Sequence, residues 1–151
     1  MTTEVTRFSD GVTEDEFAYT QRGYLTPKIG TPGMLKGVSE GSLGFGYPPE
    51  IMTGGAVKPG ERRDIEVVAY MDGIGLPERQ LLVAGEMGRL DVGGCVYDSY
   101  PVEIVYLAME PRESDRFACI PVLDTALFLS ATDADGAGIF AVAPLSIQVL
   151  E

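Results

Sequence analysis

Side chains able to do chemistry are few in this chain, and the missing type says most: its 151 residues include no histidine. That removes at once the commonest general base, the commonest metal ligand and the near-neutral titrating group. Acid–base or nucleophilic work would fall to carboxylates, tyrosine, cysteine or the lysines Lys28, Lys36 and Lys58. Ser9, Ser42 and Ser114 have no imidazole to activate them, which excludes a serine–histidine–acid hydrolase. Carboxylate pairs could be drawn from Asp91, Asp98, Glu103 and Asp124, but nothing in their spacing makes them converge.

Four further stretches invite a chemical reading. Asp133-Ala134-Asp135-Gly136 opens like a calcium loop, with alternating oxygens before a glycine. The third ligand, the closing acid and the flanking helices of the full pattern are missing, so a turn rich in Asp and Gly is the better reading. Glu110–Arg116 (EPRESDR) could clamp a charged substrate, although a solvated loop between strands has the same composition. Gly41–Gly46 (GSLGFG) has the glycines of a phosphate loop without its Lys-Ser/Thr, its preceding strand or its following helix. Cys95 and Cys119 stand in apolar strand contexts, not at redox or zinc spacing. They read as small buried hydrophobes, and spacing leaves a disulfide between neighbouring strands open. The expectation is a protein with no catalytic residues, no metal site and no cofactor, and therefore not an enzyme.

Length and charge narrow the partners. A chain of this size predicts one domain that buries roughly 70% of its unfolded surface. Its 23 acidic and 11 basic residues give a net charge of −12. A field of that sign repels phosphate, so neither nucleic acid nor an anionic membrane is an expected partner. The first residues, MTTEVTRFSDG, lack the basic start and apolar core of a secretory signal. No run approaches the roughly 20 apolar residues of a membrane-spanning helix. The chain reads as made in the cytoplasm and soluble.

The elements that must position these side chains fall into two kinds. Residues 1–64 hold eleven of the nineteen glycines, and their apolar residues follow neither the helical nor the strand period. Such a segment is expected not to build a core of its own, because ordering it costs much entropy for few contacts. Its aromatics are too many for a plain linker, so it reads as an extended arm that orders on another surface. Residues 65–151 read as a compact β domain. Strands are predicted at Ile65–Tyr70, Gln80–Ala84, Met87–Asp91, Cys95–Tyr97, Val102–Met109, Ala118–Leu123, Ala126–Ala131, Gly138–Ala143 and Leu145–Leu150. Gly93-Gly94 is a hairpin turn, since glycine accepts the positive φ of the primed types. Pro101 breaks a strand, and Glu110–Arg116 is a loop. Val102–Met109 (VEIVYLAM) is apolar almost throughout, as for a strand covered on both sides. Short strands at regular spacing make a mainly β fold, a small barrel or sandwich.

The central stretch GEMGRLDVGGCVYDSYPVEIVYLAMEPRESDRFACIPVLDTALF (Gly85–Phe128) resembles the core pattern of lambda-type bacteriophage head decoration (capsid cement) proteins. The shared pattern is a glycine-led short hairpin, a Tyr and a Pro, then a strand, a charged loop and a "PVL" strand. The resemblance covers about a third of the chain. It implies a β-tulip-like body that sits in threes on the capsid exterior, with the major capsid protein as partner. An N-terminal arm would order on the shell. On that reading Phe8, Phe17, Tyr19, Tyr24 and Leu25 are capsid contacts, because aromatic and aliphatic anchors carry most interface energy. Packing of the same five on the chain's own body is the competing expectation. Two other functions fit the size: another virion β-barrel component (tail or head completion), and a small trimeric metal-dependent hydrolase.

Overall fold

A computed structural model describes residues 2–6, 16–30, 43–71, 74–108 and 112–147. The fold is mainly β, as the sequence predicts. Its strands are β1 (Thr2–Thr6), β2 (Glu16–Gln21), β3 (Leu25–Gly30), β4 (Leu43–Gly46), β5 (Arg62–Met71), β6 (Ile74–Ala84), β7 (Gly88–Val92), β8 (Cys95–Tyr106), β9 (Glu113–Ile120), β10 (Thr125–Asp133) and β11 (Gly138–Ala141). They pair in the order β1-β2-β3-β4-β5-β6-β8-β9-β10-β11, with β7 on β8. No pairing joins the two ends of this path among the described residues, so the sheet is open and not a closed barrel. The chain divides into two compact units, residues 1–55 with 66–78, and residues 56–65 with 79–151.

In the first unit, the glycine-rich segment without a period forms strands. The β2–β3 turn is set by Arg22 and Gly23, both at positive φ (57° and 73°). Positive φ at two successive residues suits the right-handed twist of a tight hairpin. The Arg22 guanidinium donates to the Gly54 carbonyl, tying the turn to the residue that ends a short helix, α1 (Pro49–Thr53). Pro49 starts that helix at a position whose N–H would go unused in any case. Tyr24 and Leu25 are buried, as is Phe45 on β4. The Phe45 and Tyr47 rings lie 6.3 Å apart, and the Tyr47 hydroxyl accepts from the Thr26 N–H at 3.3 Å. β4 pairs with the outer half of β5 from Leu43↔Met71 to Gly46↔Val68.

The second unit has the alternation that strands need to bury one face. On β8, Val102, Ile104 and Tyr106 are buried while Glu103 and Val105 are half-buried. That corrects the expectation of two fully covered faces here. The strand covered on both faces is the end of β9, where Phe117–Ile120 are all buried. Phe117 meets Phe128 of β10 edge-on at 5.6 Å. β8 also runs unbroken through Pro101, whose Cα partner is Ala118 of β9. Proline can only accept there, and its carbonyl takes the Gly85 N–H at 2.8 Å. A Cβ on Gly85 would lie 2.6 Å from the Pro101 ring, so glycine is what lets that backbone approach. The Tyr100 hydroxyl donates to the Val57 carbonyl at 2.7 Å, and both residues are buried.

Three other expectations change. Glu113–Arg116 belong to β9 and not to a loop, with Ile104↔Asp115 and Glu103↔Arg116 in register with β8; residues 109–111 lie outside the described residues. Pro121–Leu123 form a single 3-10 turn that ends at Asp124 in the left-handed conformation (φ 48°), where a strand end was predicted. The described part of the predicted last strand, Leu145–Ile147, is not a strand, and Leu145 is 81% exposed. Its alternation remains, but no ladder reaches it among the described residues.

Candidate docking surfaces

The β7–β8 hairpin carries an exposed apolar groove. Gly93 and Gly94 both sit at positive φ (60° and 85°), the tight turn the sequence predicts, and Asp91 Oδ1 accepts the Gly94 N–H at 2.9 Å. This turn fixes the register: Asp91↔Val96, Leu90↔Tyr97 and Arg89↔Asp98. Directly opposed residues share a face, so Arg89, Asp91, Val96 and Asp98 lie together. Of these, Arg89, Val96 and Asp98 line a groove of about 580 Å³ together with Met87, Tyr97, Pro121 and Val122. Met87 and Val96 are exposed, and Val122 is 78% exposed. Arg89 and Asp98 stand 4.0 Å apart with both side chains mostly in solvent. Such a pair adds little stability and leaves its charges free for a partner.

The first unit presents another exposed apolar surface on the outer half of the β5–β6 hairpin. Val68, Tyr70, Met71, Ile74 and Leu76 are all exposed there. Glycine makes room for the aromatic ring: a Cβ on Gly46 would lie 3.0 Å from Tyr70 Cε2, and one on Gly75 would lie 3.2 Å from Tyr70 Cε1. Tyr70 therefore lies over two strands that have no side chain beneath it.

Among the described residues, the chemically suggestive side chains serve turns and strand pairing. Asp133 Oδ1 accepts the N–H groups of Asp135 (3.0 Å) and Ala137 (2.9 Å), which makes the Asp-Gly stretch the turn expected of it. The Ser114 and Thr132 hydroxyls are 2.8 Å apart across β9 and β10. Among the described residues, no three Asp, Glu or Cys side chains gather as metal ligands would. Cys119 is buried, and burial pushes its thiol up to about 12, although a hydrogen bond with Tyr100 works the other way. Cys95 is exposed, not a buried hydrophobe, and both cysteines are free. The charge cluster holds one unusual group. Burial pushes the Asp115 carboxyl above its ordinary value and the nearby Glu113 adds to this, while the Tyr106 hydroxyl, donating to Oδ2 at 2.7 Å, opposes them.

The predicted capsid contacts separate. Phe8 lies outside the described residues. Phe17 and Tyr19 have their backbone in β2, opposite Val5 and Thr3 of β1. Tyr24 and Leu25 are only 3% and 1% exposed, which matches the competing expectation of packing within the chain. Sequence reasoning overlooked the groove, although one signal was present. A two-residue turn at Gly93-Gly94 puts Val96 on the charged face beside Arg89 and Asp98, an apolar residue where alternation predicts a polar one.

Known protein families, curated proteins and solved structures were all compared with the chain, and none matches it significantly.

Proposed function

We propose that this chain is a structural virion protein that binds the outside of an assembled phage capsid and stabilises it. The reading rests on the exposed apolar groove of the β7–β8 hairpin, set in a chain of net charge −12. Contiguous exposed apolar residues rimmed by charge mark a protein-binding surface, and the acidity argues against nucleic acid or an anionic membrane as the partner. The resemblance of Gly85–Phe128 to head decoration proteins supplies the kind of partner, the major capsid protein. It also supplies an arrangement in threes on the capsid exterior. Residues near the N-terminus, Phe8, Phe17 and Tyr19 among them, add a second point of attachment to the shell. A protein that binds the assembled shell but not its loose subunits stabilises assembly by mass action. Contacts shared among neighbours gain further from effective concentration.

Co-sedimentation with mature heads of the source phage tests this, with the full chain beside one lacking Met1–Thr20. Saturable binding that truncation weakens is the expected result. Absence of binding by the full chain at any ratio would overturn it.

A further inference from the structure

The strand β7 offers an edge that matches itself. Its backbone pairs with β8 and with no other strand among the described residues. The two-residue turn makes Val92 and Cys95 the first hydrogen-bonded pair. Alternation along the ladder then turns the N–H and C=O groups of Leu90 and Gly88 toward β8, and those of Arg89 and Asp91 toward the free edge. Charged side chains on an edge strand usually discourage further pairing. Here their signs and spacing allow one arrangement. An antiparallel copy of β7 centred on Leu90 sets Arg89 of each chain directly opposite Asp91 of the other. In that register Arg89 and Asp91 are also the residues with free backbone groups, so side chains and main chain are satisfied together. Centring the pair on Arg89 or on Asp91 instead would set like charges face to face.

We propose that β7 is a two-fold interface between two copies of this chain, an antiparallel β7–β7 pairing about Leu90. Opposite charges directly across strands stabilise a pairing and like charges weaken it, which selects this register over its neighbours. Strand addition at a sheet edge takes its affinity from main-chain hydrogen bonds and its specificity from side chains, here Arg89 and Asp91. The interface is isologous, the same patch on both chains, so it closes at two copies. Gly88, Arg89 and Asp91 are exposed along this edge, and the nearby backbone of Leu145 and Ser146 lies against Gly93 at the turn. The contact does not depend on a capsid, although on a shell it would link neighbouring clusters.

Sedimentation equilibrium at low salt tests the pairing with charge-reversed chains. The native chain is expected to form concentration-dependent dimers. Arg89→Asp alone and Asp91→Arg alone should each weaken self-association by roughly tenfold or more, because every opposed pair becomes like-charged. Mixing the two variants should restore dimers. One chain then presents aspartate at both positions and the other presents arginine at both, so every opposed pair is again of opposite sign. Asp91→Asn can still accept the Gly94 N–H, so it separates loss of charge from loss of the turn and should weaken dimers less than Asp91→Arg. Asp98→Asn, on the same face but away from the edge, should leave association unchanged. A native chain that stays monomeric at every concentration would overturn the proposal. So would single variants that dimerise normally, or a mixture that does not recover.

Discussion

The two units reach β structure by different routes, and the contrast shows what sequence periodicity does and does not report. In the second unit, short apolar runs and the Gly93-Gly94 turn reveal strands and the β7–β8 register from local residues alone. In the first, glycine and proline interrupt every candidate run, yet β2, β3 and β4 form and bury Tyr24, Leu25 and Phe45. What organises that unit is non-local. Arg22 reaches the carbonyl of Gly54, and β4 pairs with β5 more than twenty residues later. A local period cannot carry such information.

Truncating the same side chain in each unit tests the contrast most severely. Leu82 and Leu25 are equally buried leucines, at 2% and 1% exposure. Leu82→Ala should cost about 2–5 kcal/mol in urea unfolding, the usual cost of truncating a core leucine. If the first unit is packed in the free chain, Leu25→Ala should cost a comparable amount. An arm that orders only on a partner would show no loss.

A second substitution probes the turn that made the second unit legible. Gly93 is at φ +60°, and a Cβ there would lie 2.3 Å from the Leu145 carbonyl oxygen. Gly94 is at φ +85° with open space around it. Gly93→Ala should therefore destabilise by more than Gly94→Ala, whose cost is about 1–2 kcal/mol from the left-handed backbone alone. Equal thermal shifts would show that the carboxyl-terminal segment does not press on the turn.

Titration separates two carboxylates of the second unit by sign. The Asp115 pKa is raised in the fold, so folding favours its protonated form. Its contribution is fully present below the ordinary value of 3.8 and is lost as pH rises through the folded value. Asp115→Asn should accordingly gain stability relative to the native chain as pH rises from about 3 to about 7. Glu61 shows the opposite sign. The Arg63 guanidinium, followed by the Lys58 N–H, holds its carboxyl down at about 2. Its contribution is present above 4.5 and fades as pH falls toward 2. For this partly exposed pair Glu61→Gln should cost only about 0.2–1 kcal/mol at neutral pH, measured by urea unfolding.

Much of the second unit was legible because its strands are short apolar runs set between turn residues and its central turn is two glycines. Its departures have causes across neighbouring strands that alternation does not encode. Pro101 stays in β8 because it lies opposite Ala118 and needs only to accept a hydrogen bond. Glu113–Arg116 look like a loop by charge, yet partners on both β8 and β10 draw them into a strand. Leu145–Ile147 alternate like a strand but have no described neighbour to pair with. The groove was partly legible, since the turn register alone places Val96 beside Arg89 and Asp98. Val122 could not be foreseen, because its side of the groove comes from a 3-10 turn that followed no predicted pattern.

Docking through the groove is tested most directly by co-sedimentation with mature heads, comparing the native chain with Val122→Asp. Val122 lines the groove at 78% exposure, so an aspartate there should leave folding intact. The expected result is saturable binding by the native chain and binding weaker by roughly tenfold or more for the variant, as for loss of an interface anchor. Native-like binding by a folded Val122→Asp chain would contradict the groove as the docking surface, and no binding by the native chain would contradict the capsid role itself.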